Sequence, residues 1–575
     1  MKIRYLVSWI IFAVLLAASV STSAYNFPQP DWGSLLNERK AMINEQDLEL
    51  YTEGSNAAVY YGAKLEPAKG VYLGATPEFS GDLMPLGAYL TYNEHNVGET
   101  RSYISQYIDS GKQVVMLGIT ITNLYDVSFD RLRETLDNYA AFKCPVFVRF
   151  ANEMNCSSLG DEPDLYIDVF RKAANMIHEY QDFAVVWSPV DLGALDRPFQ
   201  YYYPGDEYVD WVGISCYSLK HFNGKEINDI KETQYFMSGD NAWATNKIKP
   251  LIKFMEKYNI NKPVMLSEGG TATSSNYDGD LQWWAAPRLG NYLWNVIMKY
   301  PQVKMINYFN VPRVNEVDKF DISGKQYAVD IFNTAKNSGA YIKEYGKESD
   351  FSFRKANDGE TLVAGSDGCV NLYTLSYVPG NQDVCVTYKL DGVWYHSSNT
   401  IPYKCGMDIS GMSDGAHTIE ITNGSQSKSY TFYKSGKAVC FGAEPDASVV
   451  AAQNNKVYIS INGNMLNPDV PAKIINDRTL VPLRSIFEAL GASVSWDGEN
   501  KIVTAVKGDI IITIQIGNKT MNVNSRQKEL DVPAQIIDNR TLVPARAISE
   551  ALGCKVDWDS GSKTVYITEK AASLN

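Results

Sequence analysis

The sequence predicts an α/β chain in three parts: a (β/α)8 TIM barrel, an immunoglobulin-like β-sandwich, and a C-terminal α+β unit of two repeats. Three observations carry this. Between about residues 66 and 345, eight short apolar runs alternate with amphipathic stretches. From residue 350 the helical periodicity gives way to short alternating runs with turn pairs between them. From about residue 455 the chain repeats itself, so that Val470-Pro471-Ala472 returns as Val532-Pro533-Ala534, 62 residues later. A length of 575 residues suits this, because roughly 150 residues per domain gives about four units.

At the N-terminus, Lys2 and Arg4 precede an apolar stretch from Tyr5 to Val20, and Ser21-Thr22-Ser23-Ala24 follows. A short positive region, an apolar core and small residues before a cleavage point describe a secretory signal peptide over residues 1–24. The stretch is short for a membrane span, and no second long apolar run follows, so the mature protein is expected to be exported, secreted or surface-associated, without a membrane span. Residues 25–65 read as a helical lead-in.

The barrel strands are expected at Val71–Gly74, Gly87–Leu90, Val114–Leu117, Val146–Phe150, Phe183–Trp187, Trp211–Ser215, Val264–Ser267 and Met305–Phe309. Stretches such as Asp164–Gln181 and Lys247–Tyr258 separate them. Continuous apolar strands joined by helices imply a parallel sheet covered on both faces, and eight such units imply closure. No Gly-x-Gly-x-x-Gly follows the first strand, which disfavours an open doubly wound sheet.

Residues 350–442 alternate as Val384–Tyr388 and His417–Ile421 do, with Asp391-Gly392 and Asp414-Gly415 as turns, and read as the sandwich. Residues 443–455 read as a linker. In residues 456–568 the repeated features are Arg478–Pro482 with Arg540–Pro544, Ala489-Leu490-Gly491 with Ala551-Leu552-Gly553, and Trp496-Asp497 with Trp558-Asp559. Each copy cannot bury its own apolar face, so the two must stack.

Composition narrows the chemistry. The net charge of −13 and the lack of any basic run exclude nucleic acid as an expected partner. Five histidines, with no His-x-His pair, leave no metal site and no cofactor to be expected. Thr273–Asp278 matches the pattern around the cofactor-forming tyrosine of copper amine oxidases, but the copper-binding histidines are missing. Cys369, Cys385, Cys405 and Cys440 cluster, and their pairing is open.

The catalytic candidates are two carboxylates at strand ends, where such barrels carry their chemistry. Glu153 follows the fourth strand in Arg149-Phe150-Ala151-Asn152-Glu153-Met154-Asn155, and Glu268 closes the seventh in Ser267-Glu268-Gly269-Gly270. Glycoside cleavage needs two carboxyl groups flanking the bond, one protonated and one ionised. Trp187, Trp283, Trp284 and Tyr308 are candidate sugar-stacking surfaces.

These motifs resemble the clan A retaining glycoside hydrolases, and within them glycoside hydrolase family 26, the β-mannanase family. The resemblance rests on Arg149 with Glu153-Met154-Asn155, on Val185-Val186-Trp187-Ser188-Pro189, and on Tyr202–Gly213 before the sixth strand. It implies Glu153 as acid/base, Glu268 as nucleophile, and Tyr217 as hydrogen-bond partner of the nucleophile or sugar. Asn152, where that family usually has His, would hold a sugar hydroxyl, and Arg149 counts among the binding residues. The C-terminal pair resembles the tandem copper amine oxidase N-terminal-like domain, which implies surface or cell-wall association. The expected activity is cleavage of β-linked polysaccharide, with β-mannan foremost. The alternative is a surface glycan-binding protein on an inactive barrel.

Overall fold

The computed structural model describes residues 37–569 apart from 39–40, 43, 58, 78–79, 95–105, 109–110, 192–196, 223–224, 227–238, 313–315, 456, 467 and 561–562. The expected signal peptide lies outside these residues. Eight parallel strands form the barrel: β1 (Val71–Ala75), β2 (Ala88–Glu94), β3 (Val114–Thr120), β4 (Val146–Phe150), β5 (Phe183–Trp187), β6 (Trp211–Ser218), β7 (Val264–Thr271) and β8 (Val303–Tyr308). Each pairs with the next, and β8 closes on β1 through Met305 opposite Tyr72 and Tyr308 opposite Ala75.

Strand parity sorts the core into two layers. Phe147, Val186, Met265 and Met305 point into the barrel and pack on one another. Their neighbours Val148, Val185 and Ile306 point outward onto the helices. Those helices start where sequence chemistry places them. Ser128 accepts a hydrogen bond from the Arg131 amide ahead of helix Phe129–Ala140, whose Leu132, Leu136 and Tyr139 are buried on one stripe. Pro163 opens helix Pro163–His178 at a position that needs no donor.

The sandwich differs from its expected span. Asp47–Gly54 is a strand, not part of a helical lead-in, and pairs with both Ser352–Lys355 and Cys369–Tyr377. Its alternation buries Leu48 and Leu50 beside Leu372, Ile419 and Phe432. The barrel is therefore inserted between the first strand of the sandwich and the rest of it. A second contact fixes the two units: Arg288, on barrel helix Gln282–Gly290, donates to Gln382 of the sandwich (2.9 Å) and to the Asp240 carbonyl (2.7 Å). Trp243 and Trp284 flank its guanidinium.

All eight cysteines are unpaired, including the four of the sandwich cluster. The stretch read as a linker holds a helix, Ala447–Asn455, started by Asp446, whose carboxylate accepts from the Ser448 and Val449 amides.

The two C-terminal repeats interlock. Strands Arg478–Pro482 and Arg540–Pro544 pair antiparallel about Val481 opposite Val543. Tyr458–Ile461 of the first copy pairs with Thr564–Glu569 of the second. Ile486, Phe487, Val543 and Ile548 share one core, as the stacking argument requires.

Candidate active site

The site sits at the carboxyl ends of β4 to β7, and local backbone geometry aims its two carboxylates. Beyond β4, Ala151 (φ 47°) and Glu153 (φ 59°) both take the left-handed conformation, which non-glycine residues rarely adopt. The Glu153 amide donates to the Ser188 carbonyl beyond β5 at 2.8 Å, and this bond holds the turn. On β7 the pairing register with β6 shifts between Leu266 and Glu268, re-aiming the glutamate.

Arg149 joins the two acids. Wholly buried, it donates through Nη1 to Glu268 (2.6 Å) and through Nη2 to Glu153 (3.2 Å). Its Nε donates to Ser188 Oγ (3.0 Å), and Nη2 also reaches Ser215 Oγ. Ser215 in turn donates to Glu153 (2.5 Å), and Ser188 exchanges a hydrogen bond with Ser267 (2.7 Å). Glu268 further accepts from Tyr217, and the nearby Tyr92 hydroxyl at the end of β2 favours its ionised form.

The surroundings drive the two carboxyl groups in opposite directions. Burial, then the negative charge of Glu268, push Glu153 above the ordinary carboxylate range, against the opposing pull of Arg149. Burial also acts upward on Glu268, but Arg149 and the Tyr217 and Tyr92 hydroxyls outweigh it and hold this carboxyl below its ordinary value. Burial disfavours the Arg149 charge, yet the two glutamates overcome this and keep it firmly protonated. Only 8% of Glu153 and 4% of Glu268 is exposed, so little water screens these interactions. The pair therefore offers a proton donor beside an anion, the division of labour of acid/base and nucleophile.

A buried ion pair supports Tyr217 from behind. Lys247 bonds the Tyr217 carbonyl and meets Asp191 at 3.1 Å. The Tyr217 ring also packs edge-on against Phe309 and Phe320.

Of the residues singled out in the sequence, Glu153, Glu268, Arg149 and Tyr217 come together. Asn152 adjoins them, half-buried, with its Oδ1 enclosed and unpartnered among the described residues. Arg149 is not a sugar contact: its donors are taken by the glutamates and serines beneath the site. Trp187 is buried on the outer face of β5 against Tyr203 and Phe254, because parity points Val186 inward instead. Tyr308 likewise faces outward, donating to the Phe320 carbonyl and packing on Tyr292, while the next residue, Phe309, turns inward. Trp284 is buried against Arg288, whereas Trp283 is exposed. Sequence reasoning missed Tyr92, Ser188, Ser215 and Ser267. The signal for Ser215 and Ser267 was a lone hydroxyl near the end of an apolar strand. Among the described residues no group of three His, Cys, Asp or Glu could hold a metal ion, and no helix is long and apolar enough to cross a membrane.

Comparison with known proteins agrees with both resemblances. Residues 120–278, which contain Arg149, Glu153 and Glu268, match glycosyl hydrolase family 26. Residues 460–567 match the copper amine oxidase N-terminal domain. A β-1,3-xylanase (TXYA) of Vibrio sp. is 26% identical over 172 residues, covering 28% of this chain and 34% of that protein. A protease inhibitor of Brevibacillus choshinensis is 26% identical over 125 residues, covering 21% and 38%. A β-1,3-xylanase of Alcaligenes sp. is 24% identical over 172 residues, covering 28% and 33%. The chain thus spans about a third of the length of these curated relatives. Among solved structures, an endo-β-1,4-mannanase double mutant of Cellulomonas fimi is similar at 13% identity and a TM-score of 0.34, over 66% of this chain and 99% of that one. A family 26 β-mannanase of Bacteroides ovatus is similar at 17% identity and a TM-score of 0.33, over 48% and 91%.

Proposed function

We propose that the chain is an exported glycoside hydrolase that cleaves β-linked polysaccharide by a retaining double displacement. One observation carries this: a single buried arginine holds two carboxyl groups whose surroundings drive their proton affinities apart. In the first step Glu268 attacks the anomeric carbon while Glu153 protonates the departing oxygen, giving a glycosyl-enzyme. Glu153, now ionised, then takes a proton from water as the water attacks, which restores both groups. Tyr217 holds a Glu268 oxygen in place, and Asn152, beside the pair, meets a sugar hydroxyl. β-Mannan is the leading substrate. β-1,3-Xylan is a second reading, favoured by the two relatives named for it. Retention at the cell surface through the C-terminal repeats completes the proposal.

Reducing-sugar release from β-1,4-mannan, β-1,3-xylan, β-1,4-xylan and β-glucan tests the activity, and NMR of the newly formed anomer tests retention. At least one glycan should be cut, with its β-configuration kept in the first product. Binding without release from any of them would leave the alternative of a glycan-binding protein. An inverted product would remove the covalent role of Glu268.

A further inference from the structure

We infer that Tyr277 and Trp283 form a platform that stacks sugar rings of a neutral polysaccharide at a distance from the cleaved bond. The inference rests on the glycosidase reading above and names a binding site beyond the reacting centre.

Aromatic residues of the barrel are mostly buried, yet Tyr277 is 61% and Trp283 is 62% exposed. Both follow β7, the strand that carries Glu268, and both lie on the catalytic face. Tyr277 sits in the turn between the short strands Ser274–Ser275 and Gly279–Asp280. Trp283 lies in the first turn of the helix that follows. Leaving large apolar rings in water is unfavourable, and a rigid exposed ring gives a flat surface for the apolar face of a pyranose at little entropic cost.

The rigidity is built. Ser275 Oγ accepts from the Tyr277 amide (3.2 Å) and the Asp278 amide (2.8 Å), which closes the turn. The Asp278 carboxylate bonds His221 Nε2 on the loop after β6, and the Tyr277 ring packs edge-on against the imidazole at 5.2 Å. The His221 amide donates to Asp318 (2.8 Å), which ties in the loop after β8. Asn276 fixes the hairpin to the same loop through the Val317 carbonyl. The Lys220 ammonium lies 5.6 Å from the Trp283 ring centre, holding that side chain over the loop after β6. Three loops thus hold the two rings in place before any ligand arrives. Asp240 pairs with Lys220 (3.4 Å) and Asp278 bonds His221, so the charge beside the rings is compensated, which suits a neutral glycan.

The test uses the full chain with Tyr277→Ala, Trp283→Ala, both Phe variants, and Tyr258→Ala as an exposed aromatic on a different surface. On the glycan that the wild type cuts, KM should rise about threefold to tenfold for each Ala variant, with kcat nearly unchanged. The effect should be much smaller on a short aryl glycoside, Phe should restore most of it, and Tyr258→Ala should match the wild type. Equal KM for polymer in the wild type and both Ala variants overturns the platform, as does an equal loss on the aryl glycoside. If the wild type cuts no glycan, the glycosidase reading fails instead, and retardation by mannan or xylan in affinity gels decides the platform. Weaker retardation of the Ala variants supports it, and unaltered retardation overturns it.

Discussion

The arginine–carboxylate cluster at the barrel's candidate site and the pairs of the C-terminal repeats are placed oppositely. In the barrel, Arg149 is sealed beneath the two glutamates. In the repeats, Arg478 meets Asp531 and Arg540 meets Asp469, both in solvent and matched across the two copies. Burying a charge is costly unless partners compensate it, so a chain that buries three together retains them for a purpose other than stability. Solvated pairs carry little energy, and the repeats are held instead by exchanged strands and a common apolar core. Depth sets the clustered charges of the candidate site apart from charges that keep a surface wet.

The strongest test of this contrast separates the two glutamates. In the proposed double displacement, Glu268→Ala removes the nucleophile, so no substrate should form the glycosyl-enzyme, whatever its leaving group. By the same proposal Glu153→Ala removes only the proton donor and later base, so an aryl glycoside with an acidic phenol should still complete the first step. A burst of phenol should precede slow turnover, and azide should speed it and yield a β-glycosyl azide. Each variant should lose at least about a hundredfold on polysaccharide, the low end for general acid–base catalysis. Exchanged behaviour would reverse the assigned roles.

Next in size is Arg149→Met, which leaves both carboxylates buried without their cation. About 3–5 kcal/mol of stability should be lost, read as a lowered denaturation midpoint. The pH profile should change in a specific direction. In the wild type, kcat/KM should fall in acid as Glu268 gains a proton and in base as Glu153 loses one. Without Arg149 the upward effect of burial on Glu268 is less opposed, so the acid limb should move to higher pH. An unmoved acid limb would show that the tyrosines alone keep Glu268 ionised.

Legibility followed the same depth contrast. The barrel strands were readable because strands buried on both faces are continuous apolar runs, and Glu153 and Glu268 stood out as charges at their ends. Trp187 and Tyr308 were misplaced because an apolar run hides which face each residue takes. Val186 and Phe309, their immediate neighbours, point inward instead. Tyr92, Ser188 and Ser215 were illegible as a set, since only the register of neighbouring strands gathers hydroxyls that are individually ordinary. The strand Asp47–Gly54 escaped for a topological reason. Its alternation is plain, but its partners begin only at Ser352, after the whole barrel. A barrel cut at residue 349 would leave Leu48 and Leu50 without the core that buries them.

The smallest expected effect lies in the repeats. Arg478 donates to Asp531 at 2.5 Å, but the two side chains are 51% and 66% exposed, so solvent and salt screen the attraction. Arg540 and Asp469 repeat the contact in the other copy, which leaves the interlock with a second pair when one is removed. The interlock depends instead on Val481 against Val543 and on the strand shared between copies. Arg478→Ala should therefore move Tm by less than about 2 °C and leave activity on soluble glycan unaltered. Val543→Asp, which buries an unpaired charge at the centre of the paired strands, should unfold the repeats. A large loss of stability in Arg478→Ala, relieved in neither case by salt, would show that a solvated pair can carry an interlock, and depth would no longer separate the two kinds of charge.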